Sequence, residues 1–191
     1  MKSIKKLFAA VLTVFFVSLP SFAEEFDWSQ CWCTYGAGIK EKNLIVDIGT
    51  GINWKVLDLD ANRKNWFVPA IEASVEVPVK IWKLPLSFGG SVSYQAWGYK
   101  AGDTEYGQHD FTTTGMVNYH FHLPPENLDV YAGLRIGFGY EITDTNGKKG
   151  NAPYFYSVEV AGATWYFNDD IGLNVEFGYP IALRVGVSLK R

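Results

Sequence analysis

Seven charged residues stand alone on strand faces otherwise made of glycine, serine and small polar side chains: Asp47, Glu72, Glu76, Arg135, Glu159, Glu176 and Arg184. Their first chemistry is pairing, because an ionised group withdrawn from water is costly unless an opposite charge meets it. With five carboxylates and two guanidiniums, the set predicts a salt-bridged plug around Arg135 and Arg184 with carboxylate in excess. If the same space were wet, it would be an acidic, cation-preferring path. His120 and His122 are two residues apart, which on a strand puts both on one face with Cβ atoms roughly 7 Å apart. A metal needs a third ligand, and none is evident for them or for His109. The pair reads as solvated histidines near a strand end, and no metal ligand is assigned. Serines and carboxylates are present, but no His–Ser pairing and no Gly-x-Ser-x-Gly turn is visible, so no catalytic residue is assigned. Gly133, Gly137 and Gly139 lie within one strand with no helix after them, which excludes a nucleotide-binding loop, and no cofactor is expected.

The elements that position these residues follow a two-residue beat. In the stretch Leu128 to Tyr140 the even-numbered residues are apolar, while the odd ones include Asp129, Arg135 and three glycines. Period two means β-strand. Eight such strands are expected, at about Leu44–Trp54, Trp66–Val79, Leu86–Tyr99, His109–Leu123, Leu128–Ile142, Tyr154–Phe167, Ile171–Gly178 and Ile181–Lys190. In the sixth, Tyr154, Tyr156, Val158 and Val160 form the apolar face against Ser157, Glu159, Ala161 and Ala163. The connections alternate. Lys55–Asn65, Lys100–Gln108 and Thr143–Pro153 read as long loops. Lys80–Pro85, Pro124–Asn127 and Asn168–Asp170 read as short turns. Tyr179-Pro180 is tight where a long loop belongs.

The first 23 residues resemble an export signal: Lys2, Lys5 and Lys6, an apolar run from Leu7 to Val17, then Ser21-Phe22-Ala23 before Glu24. Cleavage is expected after Ala23. Residues 24–42 then form a periplasmic N-terminal extension and residues 43–191 the folded domain. Cys31 and Cys33 enter an oxidising compartment, where they pair locally or with another chain; a strained Cys-x-Cys disulfide is the alternative. Without the signal, 14 lysines and arginines face 20 acids, a net charge near −6, which is no nucleic-acid footprint.

Alternation alone leaves open whether the apolar faces meet a soluble core or lipid. Lipid is favoured by a polar face poor in Lys and Glu, and by strands reaching the ~9–11 residues that cross a bilayer at a tilt. Aromatics also gather near the strand ends, with Trp54, Trp66, Phe67, Tyr99, Tyr154 and Tyr156 toward one side and Trp82, Tyr119, Phe121, Tyr166 and Phe167 toward the other. The expected fold is all-β, an eight-stranded antiparallel up-and-down transmembrane β-barrel preceded by a cleaved signal peptide.

From about residue 43 onward the pattern resembles the small eight-stranded outer-membrane barrels, which include the transmembrane domain of outer membrane protein A, the opacity proteins and the OmpW group. The closing Glu176-Phe177-Gly178-Tyr179 and Leu183 to Lys190 are similar to the last hairpin of such proteins. The chain ends Leu189-Lys190-Arg191 where members of the class usually end on an aromatic residue. The resemblance implies a location in the outer membrane and, as partners, outer-membrane lipid, periplasmic chaperones and the barrel-assembly machinery. Its first functional implication is a structural or surface-interaction role, with loops at Asp58–Lys64, Gly102–Tyr106 and Asp144–Lys149 meeting host or neighbouring surfaces. A narrow transport barrel for ions or small apolar compounds is the second. A soluble periplasmic barrel of lipocalin type is the third and needs the reverse face assignment. No enzyme activity is expected; within this class, the alternative is a lipid A-modifying barrel enzyme.

Overall fold

The computed structural model describes residues 29–57 and 64–191. The signal segment, its cleavage site after Ala23 and most of the Asp58–Lys64 loop lie outside the described residues. The elements are β1 (Ile45–Asn53), a single-turn α1 (Trp54–Leu57), β2 (Lys64–Ile81), β3 (Leu84–Ala101), β4 (Thr104–His122), β5 (Leu128–Thr145), β6 (Lys148–Tyr166), β7 (Ile171–Phe177) and β8 (Ile181–Lys190). All neighbours are antiparallel, and β1 pairs with β8 (Ile45 opposite Lys190) to close the barrel. Closure removes the free sheet edges where all eight strands pair, and leaves one edge of β6 from Lys148 to Val160 without β7 beside it.

The two ends differ. Toward the short-turn end, β2 and β3 are joined through Trp82-Lys83, with Trp82 at φ 58°. At the other end, Lys100–Gln108 and Thr143–Pro153 are strand, not loop. They continue the ladder to two-residue turns at Gly102-Asp103 and Asn146-Gly147. Both residues of the second turn have positive φ (51° and 80°), the conformation that an Asn-Gly hairpin requires. The polarity of these segments misled the loop assignment. It marks where the strands run through water, with cross-strand contacts such as Tyr99 on Tyr106 (5.2 Å between rings) holding the ladder.

As a result β2–β6 are 18–19 residues long, whereas β7, β8 and β1 have 7, 10 and 9. The wall therefore steps down along one side. β7 accompanies β6 only over Ala161–Tyr166.

The burial pattern is inverted relative to a water-soluble domain. Ile71, Val92, Phe138 and Phe155 stand 54–65% exposed on the outer wall, while the fully buried side chains include Arg184, His120, Gln95, Asn118 and Asn174. On β6 the faces are the reverse of those expected: Tyr156, Val160 and Tyr166 are buried inside, and Ser157 and Glu159 lie outside. The reason is a fit across the ladder. Tyr154 opposes Gly139, Tyr156 opposes Gly137 and Tyr131 opposes Gly162. A Cβ at Gly139 would come within 2.0 Å of the Tyr154 ring, and one at Gly162 within 2.3 Å of the Tyr131 ring. Gly139 and Gly162 are the floor on which the Tyr154 and Tyr131 rings lie, so this sector of the lumen is aromatic. Tyr154 and Tyr156 are thereby lumen residues and not part of an outer aromatic belt.

Candidate functional site in the barrel lumen

At mid-height two arginines and two glutamates form a closed ring. Arg135 Nη1 and Arg184 Nη1 both donate to Glu72 Oε1 at 2.7 Å. Arg135 Nη2 donates to Glu176 Oε2 at 2.7 Å, and Arg184 Nη2 completes the ring at 3.4 Å. Four strands supply it: β2, β5, β7 and β8. The backbone makes room, since a Cβ at Gly49 would lie 3.0 Å from the Arg184 stem. Tyr131 donates to Glu176 (2.9 Å), and Asn174 accepts from Arg184 Nη2 (2.9 Å). Two positive and two negative charges cancel, and the Tyr131 hydroxyl and Asn174 amide add hydrogen bonds, while the Nε–H groups of Arg135 and Arg184 are left buried without a partner among the described residues. Charge cancellation with supporting hydrogen bonds is the condition under which a buried ion cluster is tolerated.

Toward the short-turn end lies a second cluster, more acidic. His120 Nδ1 faces both oxygens of Asp129 at 3.0 and 3.1 Å, and its Nε2 lies 2.9 Å from Ser87 Oγ. The Ser87 hydroxyl donates to Glu76 Oε2 at 2.5 Å, to which Asn118 Nδ2 also donates at 2.7 Å. Asp47 is near by, accepting from Ser74 at 3.4 Å. The order carboxylate, imidazole, hydroxyl is that of a nucleophilic triad. The expectation that no histidine meets a serine is thus corrected: Ser87 opposes Asn118 in the β3–β4 register, which brings it beside His120. The surroundings, however, are those of a clamp. Ser87 and His120 are fully buried, and the Ser87 proton is held by Glu76. With Glu76 and Asp129 ionised, the hydrogen-bond chain from Asp129 through the ring to Ser87 and Glu76 is complete only if the ring carries hydrogens on both nitrogens. Asp129→Ala, which strips a buried imidazole of its carboxylate, is expected to lower unfolding stability by about 2–3 kcal/mol. Ser87→Ala should cost less, and an equal loss from both in denaturant titrations would mean that Asp129 does no electrostatic work.

Residues 29–43 close the lumen over this cluster. Cys31, Ala37 and Ile39 are buried. The Tyr35 hydroxyl donates to Leu86 O (2.7 Å), and its ring stands edge-on to His120 at 5.6 Å. Burial, with Glu41 and Glu76 adding to it, pushes that hydroxyl up to about 12, so it stays a donor at physiological pH. Thr34 Oγ1 meets His122 Nδ1 at 2.9 Å, and Lys190 Nζ donates to Ala37 O. Cys31 and Cys33 are free thiols, and burial raises the pKa of Cys31.

Asp47, Glu72, Glu76, Arg135, Glu176 and Arg184 all lie in the lumen, split between the two clusters. Glu159 does not join them: it is exposed on the outer wall, because the tyrosine-on-glycine fit turns β6 over. The histidines do not converge. His120 is inside and fully buried rather than solvated, His122 meets the N-terminal segment, and His109 Nδ1 bonds Tyr94 OH at 2.9 Å. Among the described residues no group of three His, Cys, Asp or Glu side chains is placed to hold a metal ion. Sequence reasoning missed Ser87, Asn118, Asp129 and Tyr131. Their face was legible from alternation, but their meeting depends on register across three hairpins.

These features define the class: a closed eight-stranded up-and-down barrel with an apolar outer band and a charged lumen, the fold of the small outer-membrane barrels. Among solved structures, the N-terminal β-barrel domain of Pseudomonas aeruginosa OprF is similar over 79% of this chain and 98% of that one, at 12% identity and a TM-score of 0.53. At that identity the likeness shows the fold alone. Ail, the attachment invasion locus protein of Yersinia pestis, aligns over 79% of this chain and 96% of its own, at 13% identity and a TM-score of 0.47. Neisserial surface protein A aligns over 78% and 96%, at 14% identity and a TM-score of 0.43. No family model matches the chain, and no curated protein matches its sequence.

Proposed function

We propose that the chain is an integral outer-membrane barrel, exported by residues 1–23, with a structural or surface-interaction role and a closed lumen. The observation that carries this reading is the inversion of burial: arginine, histidine and amide side chains inside, isoleucine, valine and phenylalanine outside. A lipid-facing wall must be apolar, and an eight-stranded interior is just wide enough for side chains to fill. The four-residue ion ring and the N-terminal segment fill it here, which favours the closed barrel over the transport alternative. A lipocalin-type reading needs an apolar lumen, and the buried Arg184, His120 and Gln95 weigh against it.

The orientation follows from the same reading. The short turns and residues 24–42 lie on the periplasmic side, where assembly chaperones act, and the hairpins ending at Gly102–Tyr106 and Asp144–Lys149 reach outward. With Asp58–Lys64, these tips are the surfaces for host or neighbouring ligands.

The test is heat modifiability. Protein from the outer-membrane fraction, run unboiled in mild detergent, is expected to migrate faster than boiled protein, and the purified barrel is expected to hold a planar bilayer without steady conductance. A protein found in the soluble periplasmic fraction, with one unshifted band, would overturn the membrane reading. Steady open-channel current from the wild type would overturn the closed lumen.

A further inference from the structure

Cys31-Trp32-Cys33 lies outside both lumen clusters, and the fold treats its two thiols differently. Gln30 O accepts from Cys33 N at 3.1 Å, from Thr34 N at 3.2 Å and from Thr34 Oγ1 at 2.9 Å, which winds residues 30–34 into a single turn. Side chains two residues apart on such a turn do not face each other. Cys31 is buried, while Cys33 is half-buried beside the exposed Trp32. The same turn latches the N-terminal segment to the end of β4. His122 N donates to Cys31 O at 3.1 Å, the Tyr119 hydroxyl donates to Trp32 O, and the Trp32 ring stands edge-on to Phe121 at 5.4 Å. Thr34 Oγ1 lies 2.9 Å from His122 Nδ1. These contacts require residues 31–34 to keep the turn. Two cysteines whose Cβ vectors point apart, however, cannot be bridged without moving the backbone.

We infer that Cys31 and Cys33 form a dithiol site whose substrate is a protein disulfide, and that oxidation of the pair unlatches residues 30–34 from the barrel. The inference rests on the outer-membrane reading above, because export brings the pair into an oxidising compartment. Cys33, the accessible thiol, loses its proton and attacks one sulfur of the incoming disulfide. That S–S bond breaks, a mixed disulfide forms on Cys33, and the other sulfur leaves as a thiolate. Cys31, once deprotonated, attacks the Cys33 sulfur, which closes an internal Cys31–Cys33 disulfide and releases the second thiolate. The two cysteines lose two electrons and two protons, and the incoming protein disulfide becomes a dithiol. Burial raises the pKa of Cys31, so the second step waits until the turn opens. Drawing residues 31 and 33 together breaks the turn on Gln30 O, and with it the bonds to Tyr119 and His122. The ion ring makes none of these contacts, so the lumen stays shut at mid-height.

The test uses the full mature barrel in nanodiscs, reduced with a phosphine and then offered a purified dithiol oxidase in its disulfide form. The wild type is expected to end about 2 Da lighter, the mass of two hydrogens. Amide exchange over residues 31–35 is expected to speed up about tenfold, as the loss of protecting bonds implies. Cys31→Ser is expected to stop at the mixed disulfide on Cys33, and Cys33→Ser to react about tenfold more slowly than the wild type, since it leaves only the buried thiol. An internal disulfide that leaves exchange over residues 31–35 unchanged overturns the inference. So does faster capture at Cys31 than at Cys33, or oxidation that yields only a dimer linked through Cys33. Each sample is also checked for heat modifiability. A heat-modifiable barrel with none of these responses rejects only the dithiol site, whereas a soluble, unshifted protein rejects the membrane reading itself.

Discussion

Glu72→Ala is expected to lower the unfolding free energy by about 3–5 kcal/mol, the range seen when one partner of a buried ion pair is removed. The cause is specific. Glu72 Oε1 is the common acceptor of Arg135 Nη1 and Arg184 Nη1, each at 2.7 Å. Without it two guanidiniums share the single carboxylate of Glu176 and repel each other while buried. Glu72→Gln keeps the volume and one acceptor, so its loss should fall between those of Ala and wild type. Removing both members of one pair, in a Glu72→Leu, Arg135→Leu chain, should recover much of the loss, because Arg184 and Glu176 remain neutralised by each other. The measurement is a urea titration of the barrel in lipid vesicles, followed by the heat-shifted band. A cost below about 1 kcal/mol for Glu72→Ala, the value typical of solvent-exposed pairs, would mean that water screens the ring and that the lumen is a wet path.

One residue away, the outer wall gives the second large effect. Ile136 follows Arg135 in β5 and stands 46% exposed. In a water-soluble protein, Ile136→Arg would change stability by about 0.5 kcal/mol or less, as surface substitutions do. Facing hydrocarbon, it is expected to cost about 2–4 kcal/mol, the penalty for arginine near the bilayer midplane of a barrel. Val187→Arg, on β8 and 48% exposed, should behave alike. Refolding yield into vesicles and urea midpoints separate the outcomes. If Ile136→Arg folds with unchanged midpoint and no longer needs detergent, the wall faces water and the membrane reading fails.

Alternation alone determined most of the architecture, because the pleat forces neighbours to opposite faces. It placed Asp47, Glu72, Glu76, Arg135, Glu176 and Arg184 on one side of the wall, and it set the number of strands and their up-and-down order. Three things needed the tertiary structure. The first is which of two faces turns inward when both carry apolar residues. On β6 the choice went to Tyr154 and Tyr131 lying over Gly139 and Gly162, a cross-strand fit that reversed Glu159. The second is where polar segments stop being strand. Lys100–Gln108 and Thr143–Pro153 are polar because they run through water, and ladder pairing with neighbours holds them extended all the same. The third is pairing across the lumen. Glu72 and Arg184 are 112 residues apart, and His120 reaches Ser87 across 33. Such meetings depend on register, which a one-residue slip would reverse and which only the closed ring of strands determines.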